Sequence, residues 1–154
     1  MSIKHLNILL ADDDKDDCLF FEDALIDLVI TTKLTTVHDG EQLMQLLAIE
    51  PRELIDILFL DLNMPRKNGF ECLSEIKSSE KLKQLPVIIF STSFEQEVVN
   101  SLYKNGAYYF IRKPSIFSDF KKIIYHTLLT ISQSNISQPT RADFVLSVQS
   151  HLAV

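Results

Sequence analysis

Four short apolar runs in this chain end in groups that can do chemistry. Residues 8–11 run into Asp12 and Asp13, and residues 57–60 run into Asp61. Residues 108–111 run into Arg112, Lys113 and Pro114, and residues 87–90 end in the hydroxyls of Ser91, Thr92 and Ser93. Asp12, Asp13 and Asp61, brought together without a counter-charge, would raise at least one carboxyl pKa steeply. A hard divalent cation removes that conflict. Mg2+ takes oxygen ligands, keeps several waters, and needs only one or two carboxylates plus a phosphate oxygen. Lys113 adds a second positive charge on a flexible stem. A phosphoryl group in transfer spreads charge over its equatorial oxygens, so catalysis is mostly positioning and neutralisation. The four strand-end groups together fit a Mg2+-binding aspartate pocket that accepts a phosphoryl group.

Such convergence needs parallel strands. In an open parallel sheet, ligand sites form outside the carboxyl ends of the strands, where the winding reverses. Residues 8–11, 57–60 and 87–90 are unbroken apolar runs, the pattern of strands buried on both faces. Residues 34–37 mix threonines with apolar residues and suit an outer strand. Between the strands the period becomes helical. Cys18, Phe21, Leu25 and Leu28 share one helix face, and Phe117, Phe120, Ile124, Leu128 and Ile131 share another. Asp39-Gly40 can cap the helix that carries Leu43, Leu46 and Leu47, and Asn105-Gly106 stops another helix. Five strands alternating with five helices predict a doubly wound, three-layer α/β sandwich.

The chain of 154 residues fits one domain, and its 46% hydrophobic content allows an ordinary core. A net charge of −6 argues against a nucleic-acid surface, which would carry clustered Lys and Arg. Cys18 and Cys72 lack the spacing of a metal knuckle or redox pair and read as reduced thiols. No signal peptide or membrane-spanning run is visible, so a cytoplasmic protein is expected. Residues 1–131 form the expected domain. Residues 132–140 read as a polar linker, and the remainder of 132–154 as a short amphipathic segment. There Phe144, Val148 and Leu152 fall at helical spacing and could dock on the domain or pair between subunits.

With these motifs in place, the chain resembles a response-regulator receiver domain, similar to the stand-alone chemotaxis receiver, over roughly its first ~130 residues. The resemblance implies a flavodoxin-like five-stranded parallel sheet of order 2-1-3-4-5. It assigns the metal-holding acid pair to Asp12 and Asp13, and the phosphoacceptor to Asp61 in a D-x-x-x-P pattern with Pro65 and Gly69 behind it. Asn63 would lend its backbone carbonyl to the metal, Mg2+ or Mn2+. Ser91 would be the strand-end hydroxyl, Lys113 the lysine, and Pro114 a cis-proline. Phe110 would be the switch aromatic, swinging inward on phosphorylation; it stands where some members carry tyrosine. All five motifs occur in order on the expected strands.

The resemblance also implies partners. A sensor histidine kinase or phosphotransfer protein would supply the phosphoryl group. A downstream protein would read the face formed by the fourth helix, fifth strand and fifth helix, with no nucleic acid or membrane involved. The protein would be a signalling phosphoprotein of a bacterial two-component phosphorelay rather than an enzyme on other substrates, catalysing only its own phosphorylation and slow dephosphorylation. Residues 62–69 look most like single-domain regulators that partner bacterial phytochrome-type kinases.

Each motif also has a plainer reading. Asp12 and Asp13 could cap a helix, Asp61 could open a turn, Ser91 could cap the fourth helix, and Lys113 could be a solvated loop residue. Asp14, Asp16 and Asp17 read as compensation of the first helix dipole. Convergence of all four at one sheet edge favours the functional reading. The rival is a haloacid-dehalogenase-like phosphatase with Asp12 as nucleophile in a D-x-D motif. It leaves Asp61 unexplained and lacks the late acid pair. A flavodoxin would need a Gly-containing phosphate loop after the first strand, which is missing.

Overall fold

A computed structural model of the chain describes residues 5–49, 54–133 and 137–147. Its elements alternate as β1 (Leu6–Ala11), α1 (Lys15–Ile26), β2 (Thr32–Val37), α2 (Gly40–Ile49), β3 (Ile57–Leu60), α3 (Gly69–Ser78), β4 (Val87–Ser91), α4 (Gln96–Lys104), β5 (Tyr109–Arg112) and α5 (Phe117–Gln133). A 3-10 turn (Arg141–Asp143) and a short β6 (Val145–Leu146) follow. All strands pair in parallel, in the order β2-β1-β3-β4-β5-β6.

The apolar strands are covered on both faces because helices alternate sides. Leu9, Ala11, Leu58, Leu60, Val87, Ile89 and Phe110 face a core completed by α2, α3 and α4. Ile8, Leu10, Ile57, Phe59, Ile88, Phe90 and Ile111 face the core under α1 and α5. The second core is aromatic at its centre. Phe21 meets Phe59 edge-on at 4.8 Å, and Phe90 meets Phe120 at 5.2 Å, the tilted geometry the ring quadrupole favours. This layer lies directly beneath the strand ends that carry the acids.

The sixth strand departs from the five-strand expectation. Phe144 does not begin an amphipathic helix. Its ring is buried, its carbonyl accepts the Phe110 N–H at 3.0 Å, and Val145 and Leu146 continue as strand. Helix α5 also runs through Ser132 into Gln133, where a linker was expected. Val148 and Leu152 lie outside the described residues. The physical reason is the open edge of β5, whose backbone groups need partners. The β-branched Val145 suits that pairing, while the i, i+4 spacing of the tail marks only where apolar residues fall.

Candidate functional site

The strand register builds the site. Ala11 lies opposite Leu60, so the next residue of β1 and the next of β3 emerge side by side at the carboxyl edge. The Asp12 N–H donates to the Val37 carbonyl at 3.0 Å and the Asp61 N–H to the Ala11 carbonyl at 2.9 Å. Each acid therefore continues the ladder before the chain turns away. One carboxylate oxygen from each of Asp12, Asp13 and Asp61 lies within 4.8 Å of the others. Asp12 and Asp61 are buried, while Asp13 is exposed. On the far side, the Lys113 N–H donates to the Ser91 carbonyl at 2.9 Å, tying the end of β5 to the end of β4.

Lys113 brings its ammonium back across the sheet edge. Its Nζ donates to Asp12 Oδ2 and to Asp17 Oδ2, both at 2.8 Å, and stands 3.8 Å from Asp61 Oδ2. It also lies over the Phe90 ring, 5.2 Å from the centroid, so the aromatic core forms the floor of the pocket. The lysine side chain is only 5% exposed. The other Asp12 oxygen accepts the Asp14 N–H at 3.0 Å, so both oxygens of Asp12 are engaged. That engagement disfavours Asp12 as a nucleophile. Asp61 Oδ1 accepts a long 3.4 Å contact from the Asn63 N–H, and its Oδ2 faces the Lys113 ammonium at the 3.8 Å stand-off.

The electrostatics are those of a crowded acid site. Burial pushes Asp61 up to about 7; Lys113 opposes the shift and Asp12 adds to it. Burial likewise raises Asp12, against its contacts to Lys113 and the Asp14 N–H. Burial alone would lower Lys113, but Asp12, Asp61 and Asp17 outweigh it and hold the ammonium protonated well above its usual range. The donor set consists of hard carboxylate oxygens, one of them solvent-facing, with too little positive charge among them. That combination fits a hard divalent cation.

Local sequence explains the loops. Asp14, rather than Asp12 or Asp13, caps α1, accepting the N–H groups of Asp16 at 2.9 Å and Asp17 at 3.1 Å. Beyond Asp61, Arg66 takes a positive φ of 69° and its guanidinium pairs with Asp39 at 3.6 Å. Gly69 then packs on the acid itself. A Cβ there would lie 2.3 Å from the Asp61 carbonyl oxygen, so any side chain would displace the backbone that aims Asp61. Asn68 caps α3 in a reciprocal capping box with Glu71.

The structure brings Asp12, Asp13, Asp61 and Lys113 together. It places Asn63 exposed beside Asp61, and Ser91 buried at the end of the strand between β3 and β5, its Oγ accepting the Ser93 N–H at 3.2 Å. Two expectations are corrected. The peptide bond before Pro114 is trans, and no cis bond occurs among the described residues. Trans is the intrinsically favoured isomer by ~0.5–1 kcal/mol. Phe110 is already fully buried, edge-on to Phe94 at 5.9 Å, so no outward ring waits to swing in. Without a hydroxyl to keep in water, burial of the ring gains ~1.5–3 kcal/mol and nothing opposes it. Asp17 is a contact of Lys113 that sequence reasoning missed. It sits four residues before Phe21, on the buried face of α1, which distinguishes it from Asp16.

Comparison with known proteins completes the description. The family model described as "Response regulator receiver domain" matches residues 8–125. The response regulator Rcp1 of Synechocystis is 31% identical over 123 residues, covering 76% of this chain and 82% of Rcp1. The crystal structure of the Mn(2+)-bound form of Rcp1 superposes with a TM-score of 0.75 at 27% identity, covering 88% of this chain and 99% of that one. The phosphorylated cyanobacterial phytochrome response regulator RcpA superposes with a TM-score of 0.76 at 31% identity, with the same coverage. No helix among the described residues is long and apolar enough to cross a membrane.

Proposed function

Because this chain belongs to the response regulator receiver-domain family, we propose that it accepts a phosphoryl group on Asp61 from a partner histidine kinase or phosphotransfer protein. The observation that carries the reading is the Asp61 carboxylate. It is buried, grouped with two further acids and 3.8 Å from a protonated lysine that makes its short contacts elsewhere. An Asp61 oxygen forms the new O–P bond as the donor's P–N bond breaks, and the electron pair leaves on the histidine nitrogen. Lys113 neutralises charge on the phosphoryl oxygens, and Ser91 offers its hydroxyl from the neighbouring strand end. Asp12, Asp13 and the Asn63 carbonyl, with Asp61, would hold Mg2+ or Mn2+, which supplies the remaining positive charge. Apart from this self-phosphorylation and slow hydrolysis of the acyl phosphate, the protein acts as a cytoplasmic signalling component rather than an enzyme.

The signal leaves by contact with a downstream protein at the face of α4, β5 and α5. Residues 138–146 already line part of that face. Gln138 donates to the Tyr103 and Ala107 carbonyls, and Arg141 donates to Asn100 on α4 at 2.8 Å. A target reading this face therefore meets the C-terminal segment. RcpA is named a phytochrome response regulator, which supports a phytochrome-type kinase as the donor. The test is phosphotransfer profiling with phosphorylated histidine kinases, using wild type and Asp61→Asn. Rapid transfer from one kinase to wild type alone is expected. Equal transfer to both proteins, or none from any kinase, contradicts the proposal.

A further inference from the structure

We propose that Asp17 is a positioning residue that holds the Lys113 ammonium at a stand-off from Asp61, keeping open the place a phosphoryl oxygen must take. The inference rests on the reading of Asp61 as phosphoacceptor and goes beyond it. An ammonium has three N–H donors. Lys113 commits two of them, at 2.8 Å each, to Asp12 Oδ2 and Asp17 Oδ2. The two acids approach from different elements, the end of β1 and the first turn of α1, and the Phe90 ring closes a third side. The ammonium is thereby held by two short charge-assisted contacts in a nearly dry setting, its side chain 5% exposed.

The result is a separation of 3.8 Å from Asp61 Oδ2, about 1 Å longer than the ~2.7–2.9 Å of a direct charge-assisted bond. That separation matters in both directions. A lysine in direct contact with Asp61 would stabilise the free carboxylate, weakening it as a nucleophile, and would occupy the space of an incoming oxygen. At the observed distance the third N–H remains for charge that develops during transfer. A cation placed beforehand where charge will appear is the arrangement that favours a transition state over a ground state.

Asp17 has the means to do this independently of the metal site. Its side chain is 22% exposed, and it lies outside the trio of acids that converge on one another. Its backbone is fixed by the Asp14 cap at 3.1 Å, and Phe21, one turn on, is fully buried. The carboxylate is therefore anchored from below. Without it, Asp12 remains and Asp61, 3.8 Å away, is the next carboxylate to which Lys113 can turn.

The experiment compares wild type, Asp17→Asn, Asp17→Glu and Asp16→Asn. The last variant removes the same charge from an exposed neighbour in the same helical turn. Phosphorylation is followed with phosphoramidate and saturating Mg2+; the donor's P–N bond breaks as the Asp61 O–P bond forms, and the N-protonated leaving group departs as ammonia. Asp17→Asn should slow the rate constant by roughly tenfold or more, within the ~100-fold that a 1 Å misplacement can cost. Asp16→Asn should stay within about twofold, and Asp17→Glu should recover part of the loss. A crystal structure of Asp17→Asn should show Lys113 closed onto Asp61. Circular dichroism checks the fold, and Asp17→Ser serves if the Asn variant is unstable. Equal rates in wild type and Asp17→Asn, an equal loss in Asp16→Asn, or an unchanged Lys113 position would overturn the proposal. A wild type that takes no label on Asp61 would instead overturn the acceptor assignment, and the crystal structure would still decide what holds Lys113.

Discussion

The carboxyl edge of the sheet and the outer edge of β5 meet opposite demands. At the carboxyl edge, Asp12, Asp17 and Asp61 surround one ammonium, Asp13 converges on Asp12 and Asp61, and burial holds Asp61 up at about 7. At the β5 edge, Phe144 is buried, stacks edge-on with Tyr103 at 5.1 Å, and accepts the Phe110 N–H at its backbone carbonyl. The first region keeps an electrostatic conflict that a ligand can resolve. The second has resolved its own open edge by packing. Stability resides in one and reactivity in the other, so the same kind of truncation should have opposite signs in the two places.

The largest effect is expected at the packed edge. Phe144→Ala should destabilise the protein by about 3–5 kcal/mol in denaturant unfolding, the usual cost of emptying a buried Phe site. A loss below about 1 kcal/mol would mean that β6 contributes little and that the contrast fails.

The acid pocket should respond with the opposite sign. In metal-free protein, Asp61→Asn should raise stability by on the order of 1–3 kcal/mol at pH 8. The pH dependence follows from the raised pKa. Between 3.8 and about 7 the folded Asp61 keeps a proton that the unfolded chain has lost. Its stabilising contribution is full below 3.8 and is lost as pH rises through about 7. Asp12, also raised by burial, acts in the same direction. Chemical denaturation from pH 4 to 8 with chelator should therefore show falling stability in wild type and a flatter profile in Asp61→Asn. Parallel profiles would show that the conflict is not centred on Asp61.

A smaller effect separates capping from chemistry. Asp14→Ala removes the cap on α1 and should lower stability by about 1 kcal/mol. Thermal unfolding measures it, and a loss no greater than that of Asp16→Ala would show the cap to be replaceable.

Much of this was legible in the residues themselves. Unbroken runs such as Ile57–Leu60 and Val87–Ser91 mark strands buried on both faces, and their polar ends fix the edge of the site. The acids and the lysine were identifiable because their types converge on one chemistry. Three features were not legible. Asp17 differs from Asp16 by its helical angle alone, and that angle acquires meaning only when Lys113 crosses the sheet to meet it. Strand β6 is two residues long, too short for a periodicity, and it forms because the β5 edge is open. The inward Phe110 depends on packing from Phe94 and on that same pairing, both of them long-range contacts that no local pattern encodes.

The most direct test of the central claim is the location of the phosphoryl group. The protein is incubated with phosphoramidate and Mg2+, and the added mass is mapped after borohydride trapping and proteolysis. The expected result is a single modification on Asp61, absent without a divalent cation and absent in an Asp61→Asn variant that retains the native fold. Label on Asp12 or Asp13 in the wild type, or undiminished labelling of Asp61→Asn, would contradict it.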